Sequence, residues 1–497
     1  MEEFILGVDV GTSGCKIVIV NNSGEIINSI MVPYKTETPR PGWAEQNPNE
    51  WFKAFVIGVR ELISKSLISP KNIKAIGIDG MMNSPIFLDK DLKPIRPSIL
   101  WLDQRSYKQV QLIIKLFKEY NILSPLPITP VVALSKILWL IENEQNNWMK
   151  TYKVLFPKDY IRFKLTGSLV TDPSDASATL LFDGKKYNWA NYLNEIFKID
   201  IDKLPEIRPS SEISGFITKE ISTITGLPEG IPVVTGCSDG AADALSAGLI
   251  NKFDTVVRLG TSGAIFMVYD EYKPDPDNYF ILAHAIHNKW LIHRMFPFGI
   301  PHKWFFETFY KYEMEYAKDK NIDRYEYIER SIDIDDSENL IFIPNISSNS
   351  SYFDGLFIGI KSIHTKSHFS LALLEGLAFS LKETLEPIVK KFNPNINFVR
   401  LIGGGSKSLL LRKIISAVLK STLIILARHE ASLGAAINAG VGAKIFSNYE
   451  DAINKVVVIK DYIYLEPKYC KKYEELYKKY KELSKSITKL YIGNKLN

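Results

Sequence analysis

The sequence predicts an α/β protein of two similar lobes, and three observations carry that expectation. Short β-branched runs alternate with segments of helical periodicity, the pattern of layered α/β domains. The string GTSG occurs twice, beginning at Gly11 and at Gly260, each time between two apolar β-branched runs. The length, 497 residues, suits two large domains.

The elements follow in order. Phe4–Val20 and Thr255–Tyr269 each read as a β-hairpin closed by a Gly-containing turn. Two such hairpins half a chain apart imply two related lobes. Trp51–Ser66 has apolar residues at helical spacing, and Asn72–Gly80 is a short apolar strand. Pro232–Gly236 is a strand leading into a helix of small residues, Asp239–Leu249. Phe398–Ser406 is a strand entering a Gly-rich turn, and Leu409–Leu419 is the helix after it. A boundary within Gly248–Phe253 divides an N-terminal lobe, residues 1–250, from a C-terminal lobe, residues 251–463. The tail, residues 464–497, carries Tyr469, Tyr473, Leu476, Tyr477, Tyr480, Leu483, Ile487 and Leu490 at spacings near three and four. That is an amphipathic helix, docked on its own lobe or forming a dimerising coil.

Composition excludes several classes. Hydrophobic residues at 46% and charged residues at 24% exclude wholesale disorder. A net charge of +5 over this length is too weak a field to call for nucleic acid. Cys15, Cys237 and Cys470 are too scattered for a disulfide framework or a zinc site. The start, MEEFILGVDV, has no signal-peptide pattern. The apolar run Phe369–Leu381 contains Glu375 and falls short of the about 20 residues of a membrane span. A cytoplasmic, reducing compartment is the expectation. The seven histidines show no ligand spacing.

Three motifs carry chemistry. In Asp9-x-Gly11-Thr12-Ser13-Gly14-x-Lys16 an acidic residue ends a strand before a Gly-rich turn. Turn N–H groups and hydroxyls suit phosphate oxygens, and a carboxylate beside them suits Mg²⁺. The bland alternative is a plain hairpin turn. In Gly236-Cys237-Ser238-Asp239-Gly240 an Asp meets a helix start, as an N-cap or as a general base facing a cleft. Gly403-Gly404-Gly405-Ser406-Lys407-Ser408 lacks P-loop spacing but lets a flat ring or a phosphate approach the backbone. The small residues of Leu433–Gly440 line a pocket or pack a helix closely.

These residues, taken in order, resemble the FGGY carbohydrate kinases, of the actin-like, ribonuclease-H-like ATPase fold. GVDVGTSGCK, PGWAEQNPNEWF, PIRPSILWLDQRS, FPKDYIRFKLTGSLVTDPSDASATLLFD, GCSDGAADALSAG, LGTSGA, GLFIGIKSIHTKSHFSLALLE, LIGGGSKS and ASLGAA carry the resemblance over nearly the whole chain. The segment Phe156–Asp183 is most similar to the xylulokinase branch. The resemblance implies duplicated hairpin phosphate loops, an inter-lobe cleft, and ATP-dependent phosphorylation of a sugar hydroxyl. It implies Asp239 as the base and Asp9 as the Mg²⁺ residue. It places Gly11, Thr12, Ser13, Lys16, Gly260, Thr261, Ser262, Gly404, Gly405, Ser408 and Gly434 around ATP. It places Met82, Asn83, Trp101, Asp103 and Asp239 around the sugar.

The expected reaction is D-xylulose to D-xylulose 5-phosphate, with ATP and Mg²⁺, no nucleic acid or membrane partner, and possible homodimerisation. Several departures from the xylulokinase pattern touch the substrate. Met81-Met82-Asn83 stands where that branch has a QMH-type stretch, and Gly240 stands where it has Asn. SDG, with Pro127–Leu140, is closer to the gluconate-kinase branch. The family's GER-type loop is missing near Asn345–Phe353, and Ser416-Ala417 stands where an Asp is usual. Gluconate or another polyol or ketose is therefore the alternative acceptor. A gluconate carboxylate needs a cation, for which Arg105 is nearest in sequence. A filament-forming actin-like ATPase and a non-catalytic sugar sensor are the readings from other classes.

Overall fold

The computed structural model describes residues 2–66, 68–335, 338–345 and 355–493, so the GER-type departure within Asn345–Phe353 lies almost wholly outside the described residues. The chain packs into two compact units. The first comprises Met1–Lys252, Val268–Ile292 and Arg428–Val458, and the second Phe253–Met267, His293–Ala427 and Ile459–Asn497. The units are discontinuous in sequence: the chain passes from the first to the second after Lys252, and the late helix Ala431–Gly442 belongs to the first, packed on its strands.

In the first unit the sheet runs Ile213–Phe216, Pro232–Val234, Ile73–Gly80, Phe4–Val10, Gly14–Asn21 and Ile26–Pro33. Phe4–Val10 pairs antiparallel with Gly14–Asn21 and parallel with Ile73–Gly80, which puts Asp9 beside Asp79. Both central strands are buried almost throughout, as expected of strands with helices on both faces. Pro48–Lys65 packs on one set of strands, started by Asn47, whose side chain accepts from Asn49 N, with Pro48 in the first turn.

The second unit repeats the plan. Gly263–Tyr269 is antiparallel to Thr255–Leu259, which is parallel to Phe398–Ile402. Thr422–Leu426 follows in parallel and Ile459–Ile463 antiparallel. The order and sense match Gly14–Asn21, Phe4–Val10, Ile73–Gly80, Pro232–Val234 and Ile213–Phe216 in the first unit. The GTSG echo is therefore the trace of a duplicated sheet, not a chance string.

The terminal helix Pro467–Gly493 settles against Lys366–Phe392 and Leu409–Leu419 of its own unit. Tyr473 and Tyr480 are buried, and Phe379 lies 5.4–6.2 Å from the rings of Tyr473, Tyr477 and Tyr480. The first part of its apolar stripe is docked on its own lobe, as the first of the two readings expects, while Leu490 stays exposed. No described helix is long and apolar enough to cross a membrane.

Candidate active site

The helix Asp239–Ser246 is capped by Ser238, whose hydroxyl accepts from Ala241 N, not by Asp239. That corrects the N-cap alternative: Ser238 is the cap, and Asp239 sits in the first turn with Gly240 N donating to its Oδ1 at 2.8 Å. One turn later on the same face comes Asp243, within 3.4 Å of the His429 ring. With Asp9 and Asp79 these residues form an acidic cluster. Burial pushes the Asp9 carboxyl up to about 6, with Asp243 and Glu430 adding to the shift and Lys16 and Asp79 opposing it. Asp79, fully buried, is raised well above the carboxylate range by burial first, then by Asp9, Asp239 and Asp243. Lys16 is the nearby cation and is engaged by Glu430.

Neither oxygen of Asp79 has a hydrogen-bond donor, and a bond to Asp9 forms only when the two share a proton. Ionised, such a carboxylate would cost several kcal/mol, about as much as an unpaired buried ion, so without a cation it stays protonated. A divalent cation relieves that cost. Among the described residues no three side chains converge as a ready-made metal cage. Mg²⁺ needs none, since it keeps waters and takes one or two carboxylates plus phosphates. Asp9, with Asp79 behind it, fits that requirement.

The first GTSG turn is tied down locally. Gly11 N donates to Gly14 O at 3.1 Å, Tyr34 Oη donates to Gly11 O at 2.5 Å, and Gln46 Nε2 donates to Thr12 O at 2.8 Å. Trp101, 41% exposed, donates its Nε1–H to Thr12 Oγ1 at 3.0 Å, so the first GTSG turn and the expected sugar segment meet through this bond. Met82 lies against Gly240: a β-carbon there would sit 3.5 Å from the Met82 methyl. Asn83 adopts φ +60° and is buried, its Oδ1 accepting from Ala133 N at 2.9 Å.

Asp103 behaves differently from a ligand-facing acid. It is fully buried, with Oδ2 accepting from Ala44 N at 2.6 Å and from Arg105 Nη2 at 2.7 Å. Arg105 is equally committed: Nη1 lies 2.6 Å from Glu45, and its guanidinium stacks 3.6 Å above the Trp43 ring. Lys136 is buried beside this group and donates to the carbonyls of Pro130 and Val131, both at 2.6 Å. Burial lowers its ammonium to about 7, against the pull of Asp103.

In the second unit a pocket of about 720 Å³ is lined by Gly260, Thr261, Gly404, Gly405 and Ser408, all expected around ATP; Ser262 is not part of its lining. That size suits a nucleotide-scale ligand. A β-carbon on Gly404 would meet nothing within 4 Å, so the backbone there borders open space. Ser408 accepts from Leu411 N and caps Leu409–Leu419. His302 and Tyr325 add an aromatic wall with ring centroids 4.9 Å apart. Burial takes His302 down to about 4, so it is neutral at physiological pH. Lys407, Arg412 and Lys460 bring positive charge to the same pocket. Gly434 serves packing in the first unit: a β-carbon there would lie 1.9 Å from Ala242 O, so glycine lets its helix close on the helix of Asp239.

The model for the N-terminal domain of the FGGY family of carbohydrate kinases matches residues 4–246, and the model for its C-terminal domain matches residues 255–443. The chain belongs to the FGGY family of carbohydrate kinases. It is thus a phosphotransferase of an ATP-using family with an alcohol acceptor. A xylulose kinase of Lactococcus lactis is 31% identical over 98% of this chain and 97% of its own. A gluconokinase of Bacillus subtilis is 30% identical over 88% of this chain and 87% of its own. The fold is matched by a ligand-bound xylulose kinase of Lactobacillus acidophilus, with a TM-score of 0.86 over 100% of each chain at 23% identity.

Sequence reasoning about this FGGY kinase missed Asp79, Asp243, Trp43, Glu45 and Lys136. Asp79 lies near the end of a strand as Asp9 does, and Asp243 follows Asp239 at helical spacing. The kinase should also lose stability in metal-free buffer as pH rises through the Asp9–Asp79 pair. Both carboxyls titrate above their unfolded values, so the folded state binds more protons and is favoured as pH falls. For Asp9 the loss begins near the ordinary carboxylate range and is complete above about 6. Asp79→Asn should flatten this slope. Urea midpoints at acid and neutral pH for both proteins check it; parallel curves would refute it.

Proposed function

We propose that this kinase phosphorylates a neutral ketopentose, D-xylulose, to D-xylulose 5-phosphate at the expense of MgATP. Asp239 accepts the proton of the attacking hydroxyl as its oxygen bonds the γ-phosphorus and ADP leaves. A positioned base of this kind is worth about 10²–10⁴ in rate. Mg²⁺ held near Asp9 supplies charge neutralisation at the phosphates. The pocket lined by Gly260, Thr261 and Gly404 in the second unit serves the nucleotide.

The observation that carries the choice of acceptor is Arg105. It is the cation nearest in sequence to the expected sugar segment, yet its guanidinium is 1% exposed and shared between Asp103 and Glu45. A gluconate carboxylate there would have to displace two buried carboxylates, which is costly. The similarity to the xylulose kinase of Lactococcus lactis supports the same acceptor. The gluconokinase of Bacillus subtilis keeps gluconate as the second reading.

A coupled ADP-release screen over D-xylulose, other ketopentoses, gluconate and glycerol tests this. D-xylulose should give the highest kcat/KM. Gluconate turnover above that of every neutral sugar would overturn the assignment.

A further inference from the structure

The most heavily charged interior of the first unit lies outside the groups described so far. Lys158, fully buried, holds Asp159 at 2.7 Å, Asp172 at 3.0 Å and Asp175 at 2.6 Å. Arg162, also fully buried, reaches Asp159 at 3.0 Å. Five ionisable groups removed from water carry a large desolvation cost, and apolar residues of like volume often hold a fold as well. What the cluster touches suggests why it is there.

Its bonds converge on one short segment. Arg162 Nη1 donates to Thr235 O at 2.6 Å. Asp172 Oδ2 accepts from Ser210 Oγ at 2.8 Å and from Ser174 Oγ at 2.6 Å. Ser210 O in turn accepts from Gly236 N at 2.9 Å, and Ser174 Oγ accepts from Ser238 N at 2.8 Å. Gly236 has φ +87°, and a β-carbon on it would lie 2.2 Å from Ile78 O, so the segment has one backbone path. The next residue after Ser238 is Asp239.

We propose that the buried Lys158 cluster is a positioning device for Asp239, acting through Asp172 and Ser174, with Ser174 the positioning residue that fixes the backbone just before the base. This rests on the reading of Asp239 as base. Ser174 does not touch substrate. Its hydroxyl donates to Asp172 and, as acceptor, orients Ser238 N–H, so the carboxylate enters the first helical turn at a set angle. A small misplacement of a reacting group costs up to about 10²-fold in rate.

The test is steady-state kinetics of Ser174→Ala, with Ser210→Ala and Asp239→Ala in parallel, each with a pH profile of kcat/KM and a thermal midpoint. Ser174→Ala is expected to lose about tenfold or more in kcat. Its KM for ATP should stay within about twofold and its base limb should shift, while Ser210→Ala shows a smaller loss of the same kind. A folded Ser174→Ala with kcat within about twofold of wild type and an unmoved pH limb overturns the proposal. If Ser174→Ala does not fold, unchanged kcat and pH profile in Ser210→Ala overturn it instead. An active Asp239→Ala would sink the base assignment, whereas an inactive Asp239→Ala beside an unaffected Ser174→Ala would sink only the positioning role.

Discussion

Replacing Asp239 with alanine is expected to reduce kcat by about 10²–10⁴-fold while nucleotide affinity changes little. Asp239 lies in the first turn of its helix with a cap supplied by Ser238, so its removal deletes a carboxylate and leaves the helix start intact. Loss of the cap itself, by contrast, would cost about 1 kcal/mol of stability. The pocket lined by Gly260, Thr261 and Gly404 belongs to the second unit and loses nothing. Removing one carboxylate also relieves Asp79, which Asp239 pushes up, so the variant should be no less stable than wild type. Titration calorimetry with MgADP, beside a turnover assay, separates the two effects. Turnover within tenfold of wild type, with a folded variant, would remove Asp239 from the base role.

Much of the fold was legible because its signals are periodic and local. The GTSG echo works at that level: strand, turn and strand are encoded within a few residues, and the duplicated sheet follows from the two copies. The Asp9–Asp79 pair was not legible, because it depends on the register of two strands far apart in sequence. Asp103 and Arg105 show the limit of reading from residue type. Their residue types suggest a sugar contact and an anion contact, but two aromatic rings and Glu45 arrive from distant segments and bury both. Gly434 likewise looked able to flank a nucleotide, and only the approach of Ala242 reveals a packing role. Sequence spacing reports which groups are available; burial decides which of them remain free.

Lys158→Met carries the second large effect, on stability. Burial alone would lower the Lys158 ammonium, yet Asp159, Asp175 and Asp172 together hold it above its ordinary value. Taking that cation away leaves three carboxylates in the interior, with Arg162 reaching only Asp159 among them. Breaking a buried ion pair from one side costs about 3–5 kcal/mol. The penalty should depend on pH with a definite sign. Burial already pushes Asp175 up to about 8, so the folded state binds extra protons between the ordinary carboxylate range and that value. Without Lys158 the Asp175 carboxyl rises further, and protonating it removes uncompensated charge. Urea unfolding should therefore show a larger deficit for Lys158→Met at pH 8 than at pH 5. Adding Asp175→Leu to the variant should recover part of the loss, because it removes a carboxylate and restores apolar contact. If Lys158→Met were as stable as wild type at both pH values, the cluster would contribute nothing to the free energy of folding. Only its grip on the segment before Asp239 would then account for burying so much charge.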